Sequence, residues 1–326
     1  MSTRAFEDLT QSGQTRRLRG LALEALRSYD LEVERCSFVA RAFNTVFRVD
    51  VANGSTYALR MSPSLRIHAA GCEEAEADWV AALRRDAGLN SPQVIRAQDG
   101  SVVVSVTAAG VPGVRTCVLF EWVRGHRLRD SWTTPLVGKT GELTAVVHEH
   151  AAAHQAESAP AGVLVADHVL YFLAERRLEE LRPVYGSALD DAVDRAQQTV
   201  DELWRHQRHP PHLLHGDIQP GNVMADRDDV VLIDFQDLIW GFELQDLAMT
   251  QLAFDQIDAS GALSAAFRAG YETRRAWPET DAETVAALRA ARHLNILNFG
   301  LKNVRGHGFD EFVRRHAVPV AEWMAD

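Results

Sequence analysis

Residues 215–237 read HGDIQPGNVMADRDDVVLIDFQD, and the fold turns on how this stretch is read. Asp217 and Asn222 share a loop broken by Pro220 and Gly221. A strand-like VM then leads through the polar turn ADRDD into the apolar run VVLI, which ends at Asp234. In such a hairpin a loop carboxylate, a loop amide and a strand-end carboxylate can converge on one point. Their oxygens are hard ligands, suited to a Mg²⁺ ion that keeps several waters and also binds phosphate oxygens. A remaining carboxylate beside that ion can orient a hydroxyl and take its proton.

The order HGD, Asn222, then an apolar strand ending in IDF resembles the catalytic loop and metal-binding strand of kinase-like phosphotransferases. It is most similar to the aminoglycoside phosphotransferase family, which shares the protein kinase fold. The tail GFELQDLA also fits that family's G…DLA signature. The resemblance implies an α+β, bilobal protein kinase-like fold, with a small antiparallel-sheet N-lobe and a larger, mainly helical C-lobe. It also implies roles. Asp217 would be the catalytic base, Asn222 and Asp234 the Mg²⁺ ligands, His215 a structural residue of the loop, and Asp246 a buried acid bracing it. The plain alternative is a surface hairpin with incidental acids. Four motifs in the right order argue against it.

With 326 residues the chain can hold two modest domains or one large one. No apolar run approaches the length of a membrane span. The stretch MSTRAFEDLTQSGQTRR lacks the apolar core of a signal peptide, so a cytoplasmic protein is expected. Cys36, Cys72 and Cys117 have no metal-ligand spacing and suit a reducing compartment. The net charge of −11 is unevenly placed: residues 1–122 carry 14 basic and 14 acidic side chains, residues 123–326 carry 20 and 31. Nucleic acid, which needs a basic face, is a poor partner. A cationic small molecule is compatible, and so is a plain set of solvated acidic helices.

Outward from the central stretch, residues 16–29 place Leu18, Leu21, Ala22, Ala25 and Tyr29 on one helical face. CSFVA, TVFRVDV and, after Asn53-Gly54, STYALRM read as an antiparallel meander. The first turn, ARAFN, has no glycine, so a Gly-rich phosphate flap is absent, and Asn44 there can serve the phosphates or simply the turn. The third strand carries Arg60 where protein kinases carry a phosphate-binding lysine; a strand-edge arginine facing solvent is the alternative. Residues 71–87 read as a helix behind the sheet, with Glu76 placed to pair with Arg60 and with Glu73, Glu74 and Asp78 as solvated face. SPQVI, SVVVSV and TCVLFEW supply further strands.

Phe120, Glu121 and Trp122 open FEWVR, which resembles the hinge between two lobes. Adenine recognition in such folds uses hinge backbone, which leaves ATP against GTP open. The domain boundary is placed near 123, giving a nucleotide-covering N-lobe over 1–122 and a C-lobe over 123–326 with catalytic loop, metal site and acceptor pocket. Helices are expected over 140–158, over 168–181 capped by Asp167, over 188–206 behind Ser187 and Asp190, over 247–258, and over 281–299 behind Thr280 and Glu283. His150 and His154 stand one helical turn apart, but the zincin pattern needs Glu after the first histidine and Ala151 is there, so packing is the better account.

The function expected is ATP-dependent, Mg²⁺-dependent phosphorylation of a hydroxyl on a small molecule. The charge split suggests an amine-bearing acceptor, such as an aminoglycoside-like antibiotic or an amino alcohol, met by Asp237 and Glu243. A protein Ser/Thr kinase is an alternative, although DFQDLIWGFELQD leaves no room for an activation segment. A nucleotide-binding pseudokinase scaffold is the other, although Asp217, Asn222 and Asp234 are all present.

Overall fold

The computed structural model describes residues 5–64, 68–154, 156–304 and 308–325. Part of the N-terminal stretch read above, residues 1–4, and residue 155 of the expected helix 140–158 lie outside them. Helix α1 (Gln11–Leu26) starts at Thr10, whose hydroxyl accepts from the Gly13 N–H, and buries Leu18, Leu21, Ala22 and Ala25. That face packs with Phe47, Val49 and Leu59 of an antiparallel sheet.

The sheet contains β1 (Val33–Arg41), β2 (Thr45–Val51), β3 (Thr56–Met61), β4 (Val94–Ile95), β5 (Val104–Ala108) and β6 (Val111–Glu121). Its order is β1-β2-β3-β6-β4, with β5 also on β6. Because β3 runs between β2 and β6, Arg60 sits on an interior strand and its side chain is buried. Helix α2 (Cys72–Ala87) packs Ala77 with Val118 and Phe120, and sets Trp79 edge-on to Phe235 at 5.8 Å. Glu73, expected on the solvated face, is instead buried and meets the Thr116 hydroxyl at 3.5 Å; Glu74 and Asp78 are exposed.

The remainder is mainly helical. It holds β7 (His126–Arg127), α3 (Thr134–Ala153), β8 (Leu164–Val165), α4 (Arg182–Tyr185), α5 (Ala188–His206), β9 (His212–Leu214), β10 (Val223–Asp226), β11 (Asp229–Leu232), β12 (Ile239–Gly241), α6 (Glu243–Asp255), α7 (Ala262–Glu272), α8 (Ala282–Asn303) and α9 (Phe309–Ala325). The hairpin β10-β11 turns through ADRDD as expected and pairs with β7. A second small sheet, β8-β12-β9, holds the chain just before and just after the central stretch.

Some expectations fail for a visible reason. Residues 168–181 form no α-helix, only a 3₁₀ turn at Leu178–Leu181. Asn295 and Asn298 of α8 take the hydrogen bonds a helix would have made: they accept from the Phe172 and Arg177 N–H groups, and Asn298 donates to the Leu173 and Glu175 carbonyls. Ser187 makes no cap; its hydroxyl donates to Asp191. Helix α8 is capped by Asp281, not Thr280. Among the described residues no helix is long and apolar enough to cross a membrane.

Candidate active site

Gly216 lies between two residues that anchor the loop. Its φ is +77°, and an added Cβ would meet the Asp237 carbonyl oxygen, so the middle position of HGD has both a conformational and a steric reason to be glycine. His215 is fully buried. Its Nε2 faces the Ile233 carbonyl at 3.2 Å and its Nδ1 accepts from the Asp217 N–H at 3.3 Å, which ties loop to strand and defines the tautomer. Burial pushes its pKa down, so it stays neutral. Asp246 is also fully buried; its Oδ1 accepts from the Gly216 N–H and its Oδ2 faces His148 Nε2, each at 3.1 Å. His148 Nδ1 continues the chain to the Tyr271 hydroxyl at 3.1 Å.

With the loop so held, Asn222 donates to Asp217 Oδ2 at 2.7 Å and to the Asp217 carbonyl at 3.0 Å. Gln219 donates to the same Oδ2 at 3.1 Å, and Arg292 of α8 donates to Oδ1 at 2.6 Å. Burial raises the Asp217 carboxyl to about 7, with Asp237 and Asp234 adding to the rise and Arg292 opposing it. Asp234, in the left-handed region at φ 62°, follows the strand and keeps 42% of its side chain exposed.

Arg60 links the sheet to this group. It forms a two-pronged pair with Glu76, Nη1 to Oε1 at 2.9 Å and Nη2 to Oε2, and its Nη1 also donates to Asp234 Oδ1 at 3.0 Å. Burial works against its charge, but Glu76 and Asp234 together hold it protonated. Asn44, at the tip of the glycine-free turn, donates to Gln236 at 2.6 Å. Phe43 beside it sets its ring edge-on to Phe299 of α8 at 5.7 Å, so the turn reaches across to the helical part.

Asp217, Asn222, Asp234, Asp237 and Asn44 all line one cavity of about 550 Å³. Asp237 accepts from or pairs with His68 Nε2 at 2.9 Å; burial alone would raise its carboxyl, but His68 brings it below the usual range. Glu243 is not there. It is buried beside His212 at 3.0 Å and Arg275, away from the cavity, and its carboxyl is depressed despite burial because those partners favour its charge. Nor do the hinge side chains reach in: Phe120 lies 4.8 Å from the Arg60 guanidinium, Trp122 lies under Arg48, and Glu121 is held by Arg84 and the Gln93 N–H.

The cavity wall is also not the negative one the charge split suggested. Three aspartates share it with Arg41, Arg127, Arg129, Arg292 and Arg315. Other acids of residues 123–326 are paired away from it, as in Arg182–Asp190 and Arg275–Glu243. Arg292 escaped the sequence reading, yet it had a signal. Leu288, Arg292 and Asn295 follow the helical period on the buried stripe of α8, where an arginine needs a partner.

A family model described as "Phosphotransferase enzyme family" matches residues 37–282, most of the chain and all of the central stretch. The chain belongs to this phosphotransferase family. No curated protein matches it significantly. Among solved structures, an amicoumacin kinase in complex with AMP-PNP, Ca²⁺ and Ami is similar at TM-score 0.75 and 18% identity, covering 96% of each chain. A microcompartment-associated aminopropanol kinase is similar at TM-score 0.74 and 23% identity, over 94% of this chain and 96% of that one. A thermostable mutant of an aminoglycoside phosphotransferase in apo form follows at TM-score 0.63 and 17% identity, over 94% and 98%. These likenesses establish the α+β, protein kinase-like fold for this family member.

The donor set suits a divalent cation. The Asn222 amide spends its N–H on Asp217, which leaves its oxygen as the candidate ligand atom, and Asp234 offers a carboxylate that is 42% exposed. Both are hard oxygen ligands of the kind Mg²⁺ takes.

Proposed function

We propose that this family member transfers the γ-phosphoryl group of ATP to a hydroxyl of a small molecule. The observation that carries this reading is the convergence of Asp217, Asn222 and Asp234 on one cavity, with Arg60 bonded to Asp234. Residues 1–122 would cover the nucleotide, with Arg60 facing its phosphates and hinge backbone meeting the base; residues 123–326 would supply the loop, the metal ligands and the acceptor side. Asn222 and Asp234 would hold Mg²⁺, which supplies charge neutralisation at the β- and γ-phosphates.

Asp217 accepts the proton of the acceptor hydroxyl. The hydroxyl oxygen forms its bond to the γ-phosphorus as the bond to the β–γ bridging oxygen breaks, and ADP leaves with that electron pair. Asn222 and Gln219 hold the Asp217 carboxylate in place for this. The segment between Asp234 and α6 is a 3₁₀ turn followed by the three-residue strand β12, which leaves no platform for a protein substrate and favours a small acceptor.

Asp237 is the cavity carboxylate outside the base and metal roles, and it supports a second, finer reading in which the acceptor bears an amine. The compounds named for the structural neighbours are in keeping with it. The test of the proposed function is ADP release from ATP or GTP with Mg²⁺ over a panel of hydroxyl compounds. Acceptor-dependent release that vanishes in Asp217→Ala is expected. Release that survives this substitution, or no release with any hydroxyl compound, rejects it.

A further inference from the structure

The cavity lining is of two kinds. Its three carboxylates all come from the catalytic loop and the residues after the metal strand. A helical wall is built by Gln256 just after α6, Arg292, His293 and Phe299 of α8, and Arg315 and His316 of α9; among the described residues no Asp or Glu of these helices lines it, and Arg292 joins it to Asp217. We infer that the acceptor carries an anionic group, received by Arg292 and Arg315, in addition to the hydroxyl presented to Asp217. This deepens the phosphotransferase reading above, rests on it, and stands against the amine-bearing acceptor that Asp237 would favour.

Several observations agree. Arg292 is buried, and of its five N–H donors the protein takes one strong bond, to Asp217, and a long one from Nη1 to the Tyr171 hydroxyl at 3.4 Å. Its guanidinium also lies 5.4 Å from the Phe172 ring, a cavity-lining aromatic, which leaves the planar fork at the cavity surface. Arg315 is exposed at the same wall and forms no ion pair or hydrogen bond with the described residues. By contrast Arg289, one turn before Arg292, is paired with Asp255.

The two histidines between the arginines do not add charge. His293 and His316 face each other through their Nδ1 atoms at 3.0 Å, so one must donate and the other accept. Burial, with Arg292 near both and Arg315 near His316, lowers them to about 4 and about 3. The wall is therefore positive through guanidinium groups alone. Such forks match a carboxylate or a phosphate with paired hydrogen bonds. An ammonium group placed there would meet two guanidinium groups, of which Asp217 offsets only that of Arg292. Because Arg292 touches Asp217, an anion bound by Arg292 sits only a few bonds from the hydroxyl that Asp217 deprotonates. The acceptor class is thus a small hydroxylated acid or phosphate ester with an apolar portion for Phe172 and Phe299.

The test measures ADP release from ATP and Mg²⁺ with hydroxybutyrate, aminobutanol and butanediol of one chain length, and with glycerol phosphate against glycerol. Anionic acceptors are expected to exceed their neutral and cationic counterparts in kcat/KM by about tenfold or more. The better of the two anions identifies carboxylate or phosphate. Arg315→Gln should raise KM for the anion with kcat retained, Arg315→Lys should restore part of the loss, and Arg315→Glu should turn the preference toward aminobutanol. Preference for aminobutanol in the unaltered protein, or an anion KM indifferent to Arg315→Glu, overturns the inference. ATP turnover that requires Asp217 but is stimulated by no anion also overturns it and leaves the phosphotransferase reading standing. No ATP turnover with any acceptor rejects both.

Discussion

Arg292 of α8 donates to Oδ1 of Asp217 at 2.6 Å across 75 residues of sequence, and so the carboxylate at the centre of the cavity is held from both sides. Asn222 and Gln219 grip its other oxygen from within the loop. The guanidinium stabilises the ionised form that a base needs, against the burial that disfavours it.

That balance has a pH signature. With the Asp217 carboxyl raised to about 7, the free enzyme should lose kcat/KM as pH falls below that value, because the protonated acid cannot accept a proton. Arg292→Gln removes the cation that opposes the rise, so the acid limb should move to higher pH. A pH profile of kcat/KM for both proteins checks this; an unmoved limb would show that the pair does not tune the base. Asp217→Ala should cost about 10²–10⁴ in turnover with ATP affinity little changed.

Asp234→Ala and Asn222→Ala should raise the Mg²⁺ concentration needed for half-maximal turnover. The aspartate should be the more damaging, since it brings a full charge and Asn222 does not. Mg²⁺ titrations of ADP release read this directly. Equal, unaltered Mg²⁺ dependence in both variants would remove them from the metal site.

Arg60→Ala strands Glu76, which is 1% exposed, without its partner. Breaking a buried pair from one side typically costs about 3–5 kcal/mol, so a clear fall in Tm is expected together with weakened ATP use. Arg60→Lys should recover only part of each, because the two-pronged geometry is lost. A double-mutant cycle with Glu76→Gln should show coupling well above that of exposed pairs. Additive losses would mean the pair is not an energetic unit.

Asp246 holds the loop through the Gly216 N–H and also meets His148. Asp246→Ala leaves that N–H unsatisfied in the interior, at a cost of about 1–3 kcal/mol. Turnover should fall through misplacement of Asp217, and His148→Ala should show the same pattern more weakly. Circular-dichroism melting beside kinetics separates the two effects: wild-type Tm and wild-type kcat together in Asp246→Ala would dismiss the brace.

The sequence by itself determined the parts whose signals are local. The alternation in TVFRVDV, the period around Leu18 and Leu21, the turn ADRDD and the glycine of HGD each dictate a conformation through neighbours a few residues away, and the structure has them all. Asp217, Asn222 and Asp234 were legible too, because one hairpin brings them together. The pairing of Arg60 with Glu76 could be read as well, since both lie on elements of the same sheet-and-helix unit. Only the tertiary structure decided the rest. Residues 168–181 look helical until Asn295 and Asn298, more than a hundred positions away, offer their backbone other partners. Glu243 stands near Asp234 in sequence, yet His212 and Arg275 draw it into a different pocket. The negative sum over residues 123–326 says nothing of which face each charge takes: three aspartates line the cavity together with five arginines, and acids such as Asp190 and Glu243 are paired elsewhere. Charge is additive along a chain, but a field is set by distance, and distance exists only once α8 and α9 are packed.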